Sequence, residues 1–323
     1  MLPVALKLLV PGYRSSWQNR CACLIAEFDA LAPHLAHGWE EDTPWIEVKG
    51  TRLYGFATEP ENRKLHAILR PYLPKTIPLS HFRLAKDCLT RFVYPHMRPD
   101  LKPQGYGDNA MFGFHGQHKD TIADIEDAGA RAMLMEAFKP KDGEVFLDCG
   151  AFLGFGEVHL SHTIKNGQYY AIEASGACHT LLSRNLIYNG MANARAIHRA
   201  VWNAETELDL ESSFAQANSL VSEVHKGRRT ERVRTISLDG AAQTFAFERL
   251  DMLSLTLNGA EVEAIEGGRG LLRQFRPRIR LAGWYSRGSR KIWEITKEQL
   301  ENLGYRVFVG RRGNVMALPK EQF

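Results

Sequence analysis

The sequence predicts a doubly wound α/β fold with a mostly parallel sheet, and three observations support that fold class. Short apolar runs that suit buried strands alternate with helical patterns from Val145 onward. A glycine turn, Asp148-Cys149-Gly150-Ala151-Phe152-Leu153-Gly154, joins the first of these strands to a helix. Two closing strands at 306–310 and 314–318 flank Arg311-Arg312-Gly313 and add one antiparallel strand to the sheet.

The first 106 residues are predicted to form a mainly helical extension, or cap. Helical spacing of apolar residues covers 17–32, 60–69 and 81–94, and a β-hairpin is expected at 45–48 and 52–56. The segment 95–106 has three prolines and little apolar periodicity, which makes it the best linker in the chain. We therefore place the α/β domain at 107–323.

The α/β domain is expected to begin with a helix at 122–138, after which strands and helices alternate. The predicted core strands are 145–147, 169–172, 194–201, 250–257 and 278–283, with further strands at 206–211 and 232–236. The predicted helices are 155–164, 177–188, one that ends near 247, 262–273 and 292–303.

The exits of the parallel strands predict a ligand site. Ligands of doubly wound sheets bind at the carboxyl ends of the strands, which places Asp148, Glu173, Trp202, Asn258 and Trp284 on one rim. Glu173 ends the second strand, roughly 23 residues after Gly150, close to the spacing at which a carboxylate binds ribose hydroxyls. The rim therefore suits a nucleoside.

The residues in and after the glycine turn indicate which class of nucleoside the site could bind. The dinucleotide fingerprint needs three glycines to seat a pyrophosphate, and no third glycine follows Gly154-Phe155-Gly156. Glu157 would repel a phosphate, whereas Asp148 suits a cationic or hydroxyl-bearing ligand. S-adenosylmethionine meets these conditions, because it has a ribose, an adenine and a sulfonium but no phosphate. A strand, turn and helix without a ligand is the alternative.

The composition excludes few functions, but it indicates the class of protein and the cellular compartment. The chain is 44% hydrophobic and 24% charged, and its net charge of +4 is too small to argue for nucleic acid. Five scattered cysteines show neither a disulfide framework nor a metal spacing, so we expect structural thiols, no metal site and a reducing, cytoplasmic compartment. The apolar residues 1–10 are too few to span a membrane, which leaves packing on the body or a peripheral membrane contact.

Four segments resemble the FkbM-type methyltransferases. They are the glycine turn from Asp148 to Gly154, Ala171-Ile172-Glu173-Ala174 with Asn185 and Asn189, Ile236-Ser237-Leu238-Asp239, and the stretch from Asp251 to Gly268. The resemblance runs from about Lys141 to Leu318 and implies a class I, Rossmann-like fold that transfers a methyl group from S-adenosylmethionine to a hydroxyl, commonly on a sugar or a natural product.

The resemblance also implies which residues bind the cofactor. Asp148, Gly150, Gly154 and Glu173 match the family's cofactor positions. We add Ala151 from the same turn, Ala174 after the second strand and Val201 at the end of the third strand.

One stretch departs from the family pattern. The family usually has Lys-x-Asp-x-Glu-Gly before its fourth turn, whereas Ser254, Thr256 and Asn258 precede Gly259 here. A lysine and two carboxylates are thus replaced by neutral side chains. The chain would use other groups for the acceptor, accept a different substrate, or have lost activity.

A hydroxyl acceptor needs a proton acceptor within hydrogen-bond reach, while methyl transfer otherwise depends mainly on positioning. Candidates for that role are Glu261 and the histidines His115 and His118, which lie in an aromatic-rich loop at 107–119, ahead of the first helix of the α/β domain. Histidines that lie on the surface or pack in the interior are the alternative.

Four further residues are candidates for binding the acceptor. Thr256 and Asn258 are expected to orient it without taking its proton. Trp284 and Tyr285 are expected to stack on a sugar ring, with core or rim packing as the alternative.

Basic residues are dense at 226–234 and 269–291. Solvated surfaces are one interpretation. The other is an acidic acceptor, such as a phosphorylated or uronate-bearing glycan, bound by arginines in bidentate contacts. Nucleic acid is a weaker interpretation, because no RNA-binding motif or aromatic ladder accompanies the charge.

Two functions from different classes follow. One is an S-adenosylmethionine-dependent O-methyltransferase that acts on a glycan or a small hydroxylated metabolite. The other is an inactive cofactor-binding or glycan-binding module derived from such an enzyme, and the neutral stretch 254–258 keeps it open. A dehydrogenase is a third reading.

Overall fold

The computed structural model describes residues 35–48, 50–57, 79–81, 84, 122, 125–162, 164–212, 218–221 and 229–322. These residues fall into two compact units, divided between Gly116 and Gln117. The predicted boundary at 106/107 lies outside the described residues and stays a prediction.

In the first unit, the described residues form a three-stranded antiparallel sheet. Its strands are β1 (Leu35–Glu40), β2 (Thr43–Val48) and β3 (Thr51–Tyr54). The predicted hairpin at 45–48 and 52–56 is confirmed, because Trp45 pairs with Tyr54 in the β2–β3 register. Strand β1 was not predicted, since its residues LAHGWE carry little of the apolar alternation that marks a strand.

The helical part of the extension stays a prediction. The helices expected at 17–32 and 60–69 lie outside the described residues, and only His81 and Leu84 of the helix expected at 81–94 are described. His81 ends a short 3₁₀ turn, and its Nε2 lies 2.7 Å from the carbonyl oxygen of Gly38 in β1.

In the second unit, the described residues form one seven-stranded sheet flanked by helices. Its strands are β4 (Val145–Cys149), β5 (Gln168–Glu173), β6 (Ala194–His198), β10 (Met252–Leu255), β11 (Arg278–Leu281), β14 (Tyr305–Val309) and β15 (Val315–Pro319). Their spatial order is β14-β15-β11-β10-β4-β5-β6. Of these seven, β15 alone runs antiparallel to its neighbours, as the sequence predicts. The predicted fold class is confirmed.

The predicted third strand at 194–201 divides into two. Residues of β6 pair with β5, and after Arg199 the chain continues as β7 (Ala200–Val201) in a small second sheet. That sheet has the order β7-β9-β8, where β8 is Glu207–Glu211 and β9 is Thr230–Ile236. The prediction of one continuous strand is wrong, because β7 pairs with β9 from a distant part of the chain. Two short strands, β12 (Ser286–Arg287) and β13 (Arg290–Lys291), pair with each other.

Seven helices are described in this unit. They are α1 (Ala128–Ala137), α2 (Phe155–Ser161), α3 (Gly176–Tyr188), α4 (Leu238–Phe245), α5 (Glu261–Glu266), α6 (Arg269–Phe275) and α7 (Ile292–Asn302). The main core joins alternate strand residues such as Leu147, Leu253 and Ile279 to apolar residues of α4, α5, α6 and α7. The strand residues between them, including Asp148, face the other side of the sheet.

Two polar residues of the resemblance motifs connect these elements. The Asp239 carboxylate accepts hydrogen bonds from the backbone N–H groups of Gly270 and Leu271, at the start of α6. The side chain of Asn185 in α3 donates to the carbonyl oxygen of Leu153 at 2.8 Å. These contacts fix the helices relative to the strand exits that form the site.

Candidate functional site

Asp148 and Glu173 lie on the same face of the sheet at the ends of two adjacent strands. The register pairs Asp148 with Ala171, and Glu173 stands two residues beyond Ala171 on that face. Asp148 is fully buried and Glu173 is 8% exposed. The negative charge of Asp148 contributes to a raised pKa of the Glu173 carboxyl, so the two acids are close enough to interact.

The turn between β4 and α2 is closed by backbone hydrogen bonds. The carbonyl oxygen of Ile172 accepts from the N–H of Gly150 at 2.8 Å and from that of Ala151 at 3.3 Å. Gly150 has φ +81°, and a Cβ at that position would lie 2.1 Å from the carbonyl oxygen of Thr256. Because Gly150 has no side chain, the backbone that follows β10 can pack directly against the turn that follows β4.

Glu173 holds this turn from the neighbouring strand. Its Oε2 accepts a hydrogen bond from the N–H of Phe152 at 2.8 Å, and its Oε1 accepts from the N–H of Ser175 at 2.9 Å. Phe152 has φ +56°, which is uncommon for a bulky residue and costs conformational energy. The hydrogen bond to Glu173 offsets part of that cost.

Burial raises the pKa of the Glu173 carboxyl to about 7, although the hydrogen bonds from Ser175 and Phe152 oppose the shift. A carboxylate oxygen accepts more than one hydrogen bond, so the ionised group retains acceptor capacity for ligand hydroxyls. The side chain can therefore hold the turn and bind a ribose together.

The other predicted cofactor residues lie around this turn. Gly154 begins α2 with φ +73°, and a Cβ there would meet Leu182 of α3 at 2.5 Å. Ala151 and Val201 are buried. Val201 packs in the main core, and Trp202 follows it directly in the sequence. Ala174 directly follows Glu173, and its carbonyl oxygen lies 2.9 Å from Nε2 of His198.

Glu261 is fully buried at the exit of β10. Its Oε1 accepts from the N–H of Leu257 at 2.8 Å, and its Oε2 accepts from the N–H of Gly259 at 2.9 Å. Burial raises the pKa of this carboxyl to about 7, against the effect of these backbone donors. Glu261 thus holds the second turn as Glu173 holds the first.

The exit of β10 also contains Thr256 and Asn258. Asn258, with φ +52°, accepts from the hydroxyl of Tyr285 at 3.2 Å and donates to the carbonyl oxygen of Asn218 at 2.9 Å. Its own carbonyl oxygen accepts from the hydroxyl of Ser219. Asn258 therefore joins three segments, a role that the sequence did not predict.

Trp284 and Tyr285 follow the next strand, β11, and both are half-buried. Their ring centroids are 5.6 Å apart with planes inclined at 47°. Burial raises the pKa of the Tyr285 hydroxyl, and the charge of Glu261 adds to that shift. The structure places this aromatic pair on the predicted rim.

Two predicted catalytic residues, His115 and His118, lie outside the described residues. Of the predicted site residues that are described, those after β4, β5, β10 and β11 all come together on the carboxyl edge of the parallel strands.

Four arginines of the basic segment 269–291 have carboxylate partners. Arg278 lies 2.5 Å from Glu144, with both side chains 8% exposed. Arg287 pairs with Glu263, Arg290 with Glu298, and Arg276 with Glu321. The prediction of a solvated surface is wrong for Arg278 and Arg280, because both are buried in β11.

His198 and Glu231 were missed by the sequence analysis. They lie 3.5 Å apart, at the end of β6 and in β9, next to the loop that follows Glu173. The rule that placed residues on the rim selected Trp202 instead of His198, because the predicted third strand continued to Val201. No local signal marks Glu231, since β9 pairs outside the main sheet.

A family model described as the methyltransferase FkbM domain matches residues 148–308. No curated protein matches the chain significantly. A solved structure, methyltransferase FkbM from Methylobacillus flagellatus, is 11% identical, with 81% of this chain and 71% of that chain covered and a TM-score of 0.44.

Two other solved structures illustrate the range of neighbours. Precorrin-6y C5,15-methyltransferase from Geobacter metallireducens is 15% identical, covering 60% of this chain and 88% of that chain with a TM-score of 0.35. The fibrillarin pre-rRNA processing protein of Methanococcus jannaschii is 15% identical, covering 55% and 67% with a TM-score of 0.36.

Proposed function

This chain belongs to the FkbM methyltransferase family through its domain at residues 148–308, and from that premise we propose that it is an O-methyltransferase. The acceptor we propose is a hydroxyl of a sugar, a glycan or a small hydroxylated metabolite. The cofactor is S-adenosylmethionine, as the sequence predicted.

The residues of the first turn fit this cofactor chemically. The buried carboxylates of Asp148 and Glu173 share one face of the sheet, where they suit hydroxyl donors and a positively charged group. Glu157, fully buried in the first turn of α2, disfavours a phosphate there. We propose that Glu173 accepts the ribose hydroxyls and that Asp148, Gly150, Ala151 and Gly154 form the wall beside it, with Ala174 and Val201 toward the base.

The observation that carries the proposal is the arrangement of two groups on one rim. The acidic pair follows β4 and β5, and the aromatic pair Trp284–Tyr285 follows β11, with only β10 between β4 and β11. Two strand spacings separate β4 from β11, or about 10 Å. A cofactor over the acids and a sugar against the aromatics would therefore lie side by side.

When bound, S-adenosylmethionine supplies a methyl group on a positively charged sulfonium. Asp148 and Glu173 would favour that charge, and the closed turn would fix the position of the donor. Trp284 and Tyr285 would orient the acceptor ring, and Thr256 would contact it from the exit of β10.

The acceptor hydroxyl also has to lose a proton. Both carboxylate oxygens of Glu261 accept backbone hydrogen bonds, and the side chain is fully buried, which favours a positioning role for it. Asn258 is similarly engaged by Tyr285 and Asn218. We therefore propose His115 or His118 as the proton acceptor, with Glu261 as the less favoured choice.

The proposal also includes a cellular location and a class of acceptor. Cys149 and Cys178 are buried thiols without a disulfide, which supports a reducing, cytoplasmic location. Arg232 pairs with Glu207 and Asp209, so part of the basic segment at 226–234 is neutralised, which supports a glycan or small-molecule acceptor over nucleic acid. Within the described part of the chain, no helix combines the length and apolar character that crossing a bilayer requires.

A second function, an inactive cofactor-binding or glycan-binding module, is favoured by one observation. Ser254, Thr256 and Asn258 are neutral where the family usually has a lysine and two carboxylates, and the remaining acid, Glu261, is enclosed in its turn. Such a protein would bind the cofactor and an acceptor without turnover.

Incubation of the full chain with methyl-labelled S-adenosylmethionine and a panel of hydroxylated sugars and metabolites tests the proposal. We expect label transfer to at least one acceptor, reduced by Glu173→Ala through the cofactor and by Trp284→Ala through the acceptor KM. Calorimetric binding of S-adenosylhomocysteine without transfer across the panel would favour the inactive module. Absence of that binding would overturn both.

A further inference from the structure

The loop after β5 is held by a second pair of side chains, His198 and Glu231. Nε2 of His198 lies 2.9 Å from the carbonyl oxygen of Ala174 and 3.5 Å from Oε1 of Glu231. The same Oε1 of Glu231 accepts a hydrogen bond from the N–H of Gly176 at 2.9 Å. Two residues from different sheets thus contact the loop at Ala174 and Gly176, on either side of Ser175.

Gly176 is the position at which this pair approaches the loop most closely. A Cβ there would lie 3.0 Å from Oε1 of Glu231 and 3.4 Å from Cε1 of His198. Because φ of Gly176 is not in the left-handed region, the backbone does not by itself require glycine at this position. The two side chains pack closely against the first turn of α3 at this position.

The orientation of His198 is itself determined by neighbours. Its ring stacks on that of His179 in α3, with centroids 5.5 Å apart and planes inclined at 27°. Its backbone pairs with Glu173 in the β5–β6 register, and the N–H of Arg199 donates to the carbonyl oxygen of Glu173 at 3.1 Å. His198 is therefore connected to Glu173 through the backbone and to Ala174 through its ring.

Glu173 and the His198–Glu231 pair both hold the short segment 173–176. Glu173 accepts a hydrogen bond from the N–H of Ser175, and Glu231 accepts one from the N–H of Gly176. A small shift of this loop would move the Glu173 carboxylate away from the ribose, and displacements of that size reduce affinity where several hydrogen bonds must form together.

We infer that His198 and Glu231 are positioning residues for the cofactor, which fix the loop 173–176 so that Glu173 and Ala174 meet the adenosyl group. This inference rests on the proposed cofactor site. Neither residue is assigned a contact with the ligand, and the effect is exerted through Ala174 and Gly176.

Calorimetric titration of the full chain with S-adenosylhomocysteine tests the inference at two positions, each with a conservative variant. His198→Leu removes the contact to Ala174, whereas His198→Gln retains an N–H donor close to the position of Nε2. Glu231→Ala removes the acceptor for Gly176, whereas Glu231→Gln retains an oxygen. Glu207→Ala, in the same small sheet, removes an exposed ion pair with Arg232 and Arg234 and serves as the control.

We expect about tenfold weaker binding for His198→Leu and for Glu231→Ala, and binding within about twofold of wild type for both glutamine variants and for the control. Urea unfolding of each variant separates this effect from a loss of folded protein. If His198→Leu does not fold, the comparison of Glu231→Ala with Glu231→Gln still tests the inference.

If the wild-type chain binds S-adenosylhomocysteine and Glu231→Ala binds it with the same affinity, the inference is overturned and the proposed function is unaffected. Equal losses in Glu231→Ala and Glu231→Gln also overturn it, because a retained oxygen acceptor should restore binding. No binding by the wild-type chain overturns the cofactor site itself and the inference with it.

Discussion

A Cβ at Gly150 would lie 2.1 Å from the carbonyl oxygen of Thr256, so the exits of β4 and β10 approach each other more closely than any side chain allows. The positive φ of Gly150 adds a second restriction at the same position. The glycine that begins the cofactor turn is thus required by the neighbouring strand as well as by the turn.

Gly150→Ala should therefore destabilise the protein by about 2–4 kcal/mol, the sum of left-handed strain and a backbone overlap. Gly190→Ala is the matched control, because Gly190 has φ +67° but no heavy atom within 4 Å of the added Cβ. That variant should lose only about 1 kcal/mol. Urea unfolding measures both, and equal losses would contradict the role given to Thr256.

Cofactor affinity should depend on pH through Glu173, whose pKa burial raises to about 7. Below that pH the carboxyl is mostly protonated and accepts fewer hydrogen bonds from ribose hydroxyls. We expect S-adenosylhomocysteine to bind several-fold more tightly at pH 8 than at pH 6. Glu173→Gln should bind more weakly and remove this component of the pH dependence.

The comparison between wild type and Glu173→Gln isolates the side chain, since any ionisation of the ligand affects both proteins equally. Calorimetry at pH 6, 7 and 8 provides the measurement. An identical pH dependence in the two proteins would show that the Glu173 carboxyl does not meet the ribose.

The local parts of the site could be predicted from the sequence. The strand, glycine turn and helix from Val145 onward lie within a short segment, and the period of the apolar residues determines their type. The rim followed from one general rule about parallel strands. The roles of individual side chains depended on partners that a local pattern does not contain.

Arg278 illustrates this limit. The sequence placed it in a basic cluster, whereas its partner Glu144 lies 134 positions away along the chain. Glu261 is a second case, because the sequence did not indicate that both of its carboxylate oxygens accept hydrogen bonds from the turn around it. The division of the third strand at Arg199 is a third, since β7 pairs with a strand formed more than thirty residues later.

The contribution of Glu173 and Glu261 to folding stability should decrease as pH rises between about 4.5 and 7. Glu173 and Glu261 are buried, and each has a folded-state pKa of about 7 against an ordinary value of 4.5. The folded state thus holds these protons more tightly than the unfolded state. The resulting stability is fully present below pH 4.5 and is lost as pH rises through 7.

Glu261→Gln should remove about half of this contribution and so change the slope relative to wild type, because one of the two acids is removed. Urea unfolding at pH 5, 6, 7 and 8 gives the slope for each protein. The absolute stability of the variant should be lower, since one backbone donor of the turn loses its acceptor. A slope equal to that of wild type would place the titration elsewhere.

The buried pair Arg278–Glu144 should contribute to stability in a way that an exposed pair does not. Their atoms lie 2.5 Å apart with side chains 8% exposed, and Arg278 also donates to the carbonyl oxygen of Ala137. Replacing one partner leaves a buried charge without compensation, so Arg278→Met or Glu144→Gln should each cost about 3–5 kcal/mol.

A double-mutant cycle tests whether this cost belongs to the pair. The double variant should lose much less than the sum of the single losses, because no buried charge remains. The pair Arg290–Glu298, with side chains 45% and 62% exposed, is the control and should couple by less than about 1 kcal/mol. Additive losses at Arg278 and Glu144 would mean that water or another group compensates each charge.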